Sequence, residues 1–235
     1  MSTSDLSSLR SWVQEQHLVE PSLRSYRERF ESSSARVLHL EDFLVPSVAD
    51  KLGVFLENEA QFEPQFGLYS EPDRPATETE WLSSDESDHL FRFSKLIGTA
   101  PEFQLSPNAL TYIRFRKALS DPSFVAFFER VSGLQLESQD DFGSHSMGRG
   151  DFLLPHDDNS RGRSLAIVSY LSPEWDPRFG GGLRIDDEGG VTTTIVATFN
   201  SIVMFDVAAK TTHAVEPIRD DAGDRRRLTI GGWYH

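Results

Sequence analysis

From about residue 139 onward the chain reads as strand after strand, and this run limits the possible folds more than any other feature. Short apolar or alternating segments occur at 144–149, 151–157, 164–171, 181–186, 193–198, 201–207, 211–217 and 227–234. Turn-forming clusters separate them: Asn159-Ser160-Arg161-Gly162, Gly180-Gly181-Gly182, Glu188-Gly189-Gly190, Asn200 and Ala222-Gly223. Glycine adopts positive φ without steric cost and Asn tolerates it, so such clusters reverse an extended chain. About eight short strands in roughly 95 residues, preceded by helices, predict a mainly β fold. The specific expectation is a double-stranded β-helix (jelly roll) buttressed by N-terminal helices.

The upstream half supplies the buttress. In residues 1–38, Leu6, Leu9, Trp12 and Val13 stand at helical spacing between Ser-rich stretches, which predicts a short surface helix at the periphery. Residues 39–235 are expected to form one domain, with helical support over 39–138 and the jelly-roll core over 139–235. Ser47-Val48-Ala49-Asp50 has the pattern of a capping box opening a helix over 47–58. Asp121-Pro122 opens another, with Phe124, Phe127, Phe128 and Val131 as its apolar stripe and Gly133 as its stop. Between the two, residues 68–92 are acidic and rich in Pro, Ser and Thr. They read as a mobile loop, either a lid or an inert surface loop.

Composition removes whole classes of function. Lys and Arg number 23 against 37 Asp and Glu, a net charge of −14. Nucleic-acid affinity rests on Lys and Arg displacing counterions, so no nucleic-acid partner is expected. The absence of cysteine excludes disulfides, thiolate zinc sites and cysteine nucleophiles, and is compatible with a reducing, cytoplasmic setting. Apolar runs such as Ile202-Val203-Met204-Phe205 fall far short of the ~20 residues of a membrane helix. The first residues mix charge and polarity, unlike a secretion signal. No membrane partner is expected.

The chemistry concentrates in Pro155-His156-Asp157-Asp158. Alternate residues of a strand face one way, so His156 and Asp158 project together and Asp157 points away. An imidazole and a carboxylate on one face are most of a metal site, and His213, heading the run 213–217, is the candidate third ligand. Two His and one carboxylate leave coordination positions open, which suits non-haem Fe(II) binding a bidentate cosubstrate and then O2. Catalytic zinc sites instead close at four ligands. In the last strand Arg227 and Thr229 share a face, and an Arg fork with a hydroxyl can grip a carboxylate. Tyr170, ending an earlier strand, could add a donor. A dicarboxylate fits this set, one end on the metal and the other on Arg227. Trp233 and Tyr234 read as packing residues. Arg149, Arg161, Arg163 and Arg92 surround the metal strand and are candidate substrate contacts, or simply balance local acids. His145 reads as a packed or solvent-facing histidine and His235 as exposed.

Taken in order, these elements resemble a known family. They are His156-Asp157-Asp158, Tyr170-Leu171-Ser172-Pro173-Glu174-Trp175-Asp176, Gly180-Gly181-Gly182-Leu183-Arg184-Ile185, His213, and Arg227-Leu228-Thr229-Ile230-Gly231-Gly232-Trp233-Tyr234. The stretch 144–235 resembles the catalytic core of the 2-oxoglutarate/Fe(II)-dependent dioxygenases, in their prolyl 4-hydroxylase-like branch. His-Asp-Asp followed by an Arg-containing turn is most similar to the ribosomal-protein prolyl hydroxylases. Ahead of the first His, where family members often carry a Tyr, this chain reads Ser144-His145-Ser146-Met147. The resemblance implies that His156, Asp158 and His213 ligate Fe(II). It implies that Arg227, Tyr170 and Thr229 hold 2-oxoglutarate, with O2 as cosubstrate and ascorbate as a possible reductant. The implied reaction is hydroxylation of an aliphatic C–H, coupled to decarboxylation of 2-oxoglutarate to succinate. The substrate is expected to be prolyl or amino-acid-like, peptidyl or small. Two alternatives stand beside it: a natural-product tailoring oxygenase performing hydroxylation, desaturation or cyclisation, and a metal-binding jelly roll without turnover.

Overall fold

The computed structural model describes residues 6–72, 74–159, 162–209 and 211–235. In chain order the upstream half contains α1 (Glu20–Ser32), β1 (Val37–Leu40), α2 (Pro46–Val54), β2 (Ala60–Leu68), α3 (Glu78–Ser83), β3 (His89–Thr99), α4 (Pro107–Ala118) and α5 (Pro122–Ser132). The downstream half is the expected series of strands. They are β4 (Asp141–Met147), β5 (Phe152–His156), β6 (Leu165–Tyr170), β7 (Leu183–Asp186), β8 (Thr192–Ile195), β9 (Ser201–Asp206), β10 (Thr212–Val215) and β11 (Arg227–Tyr234).

All the strand pairings are antiparallel. One layer runs β1-β9-β6-β11-β4 and the other β5-β10-β7-β8. Strand β3 joins them, pairing through Ser94 and Lys95 with β4 and through Phe91 and Arg92 with β5. β2 adds to its outer side. The result is a nearly closed, barrel-like jelly roll with helices packed on one layer.

The period-two alternation explains the packing. Ile167, Ile202, Met204, Leu228 and Ile230 face the helices and meet Phe30, Phe115, Phe124, Phe127 and Phe128. Ala166, Tyr170, Val203 and Phe205 face the barrel interior with Leu183, Ile185 and Val215. β9 is covered on both faces, so every one of its residues is buried. Each fully buried Phe of the helical layer contributes about 1.5–3 kcal/mol.

Helix α5 begins and ends where the sequence indicates, with Pro122 in its first turn and Gly133 left-handed at φ 76° after its last residue. Three expectations are corrected. α2 starts at Pro46 behind Val45 and has no side-chain cap, so Ser47 and Asp50 lie inside the helix and form no capping box. The segment 68–92 is not a structureless loop. It contains the end of β2, α3, a 3-10 turn at Glu86–Asp88 and the start of β3. Its acidic residues have structural work. Thr77 and Glu80 cap α3 reciprocally, and Arg74 is held by Glu71 (2.6 Å) and Glu80 (2.9 Å). Trp81 of α3 is buried against Phe66 and Phe152. The described part of 1–38 is not peripheral either. Leu9 and Val13 are fully buried in the helical core, and β1 crosses residue 38 to pair with β9. Their helical spacing marks a face covered by other helices rather than by water. Among the described residues no helix is long and apolar enough to cross a membrane.

Candidate metal centre

Strands β5 and β10 carry the histidines. Their register pairs His213 with His156 and Val215 with Leu153. Two steps on β10 therefore oppose three on β5, which is a β-bulge. Without it His156 would share a face with Phe152, which packs outward against Trp81. With it His156 joins the face of Leu153, which packs into the barrel interior.

The bulge brings His156 to His213, ring centroids 4.2 Å apart. Asp158, just beyond β5, places Oδ2 3.1 Å from His213 Nε2 and Oδ1 3.7 Å from His156 Nε2. Each of the three residues offers one ligand atom, all within 4.8 Å of one another. His156 Nδ1 donates to Leu154 O at 3.0 Å, which leaves Nε2 with its lone pair toward the cluster. Burial, with His213 beside it, lowers the pKa of His156 and keeps it neutral. Burial alone would raise Asp158. The His213 contact, the neighbouring His156 imidazole and the Trp233 N–H outweigh it and hold the carboxyl at about 2. These are the protonation states a divalent metal requires.

A second group of side chains lines the same interior. Thr229 of β11 lies in register with Tyr170 of β6 on one side and His145 of β4 on the other. Arg227 sits over the Tyr170 ring at 5.0 Å and donates Nη1 to Met147 Sδ at 3.7 Å. Arg227 and Thr229 are each 3% exposed and Tyr170 0%. Arg227 Nε and Tyr170 Oη have no hydrogen-bond partner, and among the described residues no carboxylate pairs with Arg227. Burial pushes the Tyr170 phenol up, against the pull of Arg227, so it stays protonated and can donate. A dry cation beside a free hydroxyl is costly unless an anion completes it.

The remaining candidates separate. Arg163 pairs with Asp141 at 3.0 Å and stands 3.6 Å from Asp158. Arg92 pairs with Asp151 at 2.9 Å, and exposed Arg149 faces Asp220 at 3.8 Å. Arg161 lies outside the described residues. His145 is a packed histidine against Phe93, and burial, with Lys95 and Arg227 nearby, drives its pKa down to about 4. His235 is not exposed. Its backbone N donates to Glu137 O at 2.8 Å, and its side chain approaches Asp141. Trp233 does more than pack: its Nε1 donates to Asp158 Oδ2 at 3.0 Å. The alternation that pairs Arg227 with Thr229 continues to Gly231 and Trp233, so this face was readable from the sequence. Near the site, Tyr69 Oη donates to Pro155 O at 2.9 Å, tying the 68–92 segment to the residue before His156. A cleft of about 670 Å³ lined by Trp81, His89, Phe152, Leu154 and Pro217 opens on the outer face of β5, away from the metal cluster.

Residues 143–235 match the family model of the 2OG-Fe(II) oxygenase superfamily. The chain is 35% identical over 171 residues to prolyl 3-hydroxylase sudestada1 of Drosophila melanogaster, covering 66% of this chain and 30% of that protein. It is 29% identical over 156 residues to prolyl 3-hydroxylase OGFOD1 of Xenopus laevis, covering 64% and 29%. The chain thus spans less than a third of the length of these relatives. A Pseudomonas putida prolyl-4-hydroxylase shares the fold with TM-score 0.57 at 20% identity, covering 91% of this chain and 98% of that one. A Trichoplax adhaerens prolyl hydroxylase, in complex with a hypoxia inducible factor peptide, does so with TM-score 0.57 at 15%, covering 92% and 93%. The match to the 2OG-Fe(II) oxygenase superfamily covers the strand-rich last two-fifths of the chain. That family implies Fe(II), 2-oxoglutarate and O2. The residues present fit these groups: the His-Asp-His cluster has a metal's donor set, and the unpaired Arg227 with the free Tyr170 hydroxyl suits a carboxylate.

Proposed function

We propose that this chain is an Fe(II)- and 2-oxoglutarate-dependent dioxygenase that hydroxylates an aliphatic C–H of a prolyl or amino-acid-like substrate. The single observation that carries this reading is the buried, carboxylate-free Arg227 on the same barrel interior as the His156, Asp158 and His213 cluster. In this reading those three residues hold the metal, and Arg227 receives the far carboxylate of 2-oxoglutarate. When bound, iron and cosubstrate supply the oxidising power: RH, O2 and 2-oxoglutarate become ROH, succinate and CO2.

The chain's own residues bind, orient and keep the site dry. Tyr170, held protonated by burial, donates its O–H to the docked carboxylate, and Thr229 presents a second hydroxyl from the neighbouring strand. The neutral imidazole of His156 keeps its Nε2 lone pair available, and the ionised Asp158 supplies the negative charge. Phe205 closes against the His213 ring at 4.9 Å and excludes water on that side. The prolyl substrate class is supported by the relatives named prolyl 3-hydroxylases.

The test is succinate formation by the iron-loaded chain with prolyl peptides. His156→Ala abolishes metal binding and turnover. Arg227→Ala raises the KM for 2-oxoglutarate and leaves metal affinity in place. An iron-loaded protein that never decarboxylates 2-oxoglutarate, with or without a peptide, refutes the reading.

A further inference from the structure

Asp158 is gripped by side chains that ligate nothing themselves. Trp233 Nε1 donates to its Oδ2 at 3.0 Å. The guanidinium of Arg163 lies over the Trp233 ring, 3.4 Å from the centroid, as stacked planar groups do. Arg163 forms ion pairs with two carboxylates, and its close contacts go to one of them. Its Nε and Nη2 both reach Asp141 Oδ2 at 3.0 Å, while Nη1 stays 3.6 Å from Asp158 Oδ1. The arrangement follows from register: Trp233 and Asp141 are direct partners across β11 and β4, so indole and carboxylate stand side by side on one face.

The two contacts on Asp158 act differently. An indole N–H fixes one oxygen and leaves its charge in place. A guanidinium seated on the carboxylate would occupy its lone pairs and compete with a metal ion for them. Here the Nε and Nη2 edge of Arg163 faces Asp141 instead.

We infer that Trp233 and the Asp141–Arg163 pair are positioning residues for Asp158. Trp233 orients the carboxylate through Oδ2, and Asp141 holds the Arg163 charge away so that Oδ1 remains available to a divalent cation. This rests on the proposed metal role of His156, Asp158 and His213. It adds to that role a reason for the cation and the indole beside the ligand.

The test measures Co(II) binding to the metal-free full chain, by calorimetry and by the visible absorption of the complex, without 2-oxoglutarate. Wild type and His156→Ala come first. A wild-type chain that binds no Co(II), or binds it equally with His156→Ala, refutes the metal reading and this inference with it. Given a wild-type site, Trp233→Phe keeps the ring under Arg163 and removes the N–H. It is expected to raise the Co(II) Kd about tenfold or more and to alter the spectrum. Asp141→Asn frees Arg163 to turn onto Asp158 and is expected to weaken Co(II) by about tenfold. Asp141→Asn with Arg163→Gln restores the affinity of Arg163→Gln alone, which a merely structural role for Asp141 would not do. The rescue stands as a separate test should Trp233→Phe fail to fold. Wild-type affinity and spectrum in Trp233→Phe and Asp141→Asn overturn the inference. So does a double variant as weak as Asp141→Asn.

Discussion

Replacing Arg227 with methionine should make the ligand-free protein more stable and unresponsive to 2-oxoglutarate. Arg227 is 3% exposed, its Nε has no partner, and no described carboxylate neutralises it. A buried polar group without a partner costs about 1–3 kcal/mol, more when charged. Methionine has a similar reach and would lie against Met147 and the Tyr170 ring with no polar group to satisfy. Well-packed apolar replacement of buried charges is often stabilising by about 1–4 kcal/mol, so a gain of roughly 1–3 is expected here. For a chain of 235 residues that raises Tm by about 2–12 °C. The wild type recovers its deficit when the anion arrives, about 2.7 kcal/mol at a ligand concentration 100 times Kd. Urea unfolding of both proteins, with Mn(II) and with or without 2-oxoglutarate, separates the two effects. A ligand-free variant less stable than wild type would mean that the guanidinium is already satisfied. An undiminished 2-oxoglutarate shift in the variant would mean that the carboxylate docks elsewhere.

Other outcomes follow from single residues. The His145 pKa lies at about 4 in the folded chain against 6.5 ordinarily. The unfolded chain therefore takes the proton first as pH falls. Stability from this site is complete above pH 6.5 and is lost toward pH 4, up to about 3 kcal/mol. His145→Gln should flatten the acid limb of the urea midpoint by that amount, and parallel limbs would contradict it. Gly133→Ala forces an L-residue to φ 76° after α5 and should cost about 1–2 kcal/mol, read as a lower urea midpoint. Thr77→Ala removes the cap of α3 and should cost about 1 kcal/mol locally. Amide exchange around Trp81 then speeds up about fivefold, whereas a structureless 68–92 segment would show no change.

Side-chain chemistry and the two-residue period were enough to indicate the eight downstream strands, to name His156, Asp158 and His213 as candidate ligands, and to place Arg227 and Thr229 on one face. These depend on local alternation and on what imidazole, carboxylate and guanidinium can do, which a sequence carries in full. Composition misled where charge had a local partner. Glu71, Arg74 and Glu80 suggest a mobile acidic loop, yet they pair with one another and cap a helix. The long-range decisions belong to the tertiary structure. β1 pairs with β9, far along the chain, and no local pattern announces that partner. His156 points inward because one extra residue in β5 bulges against β10, which depends on register rather than on alternation. Arg163 stands within reach of both Asp141 and Asp158, and its choice between them follows from β4 lying beside β11. Residue chemistry names the groups able to ligate a metal. The pairing of strands sets which of their atoms are left free to do it.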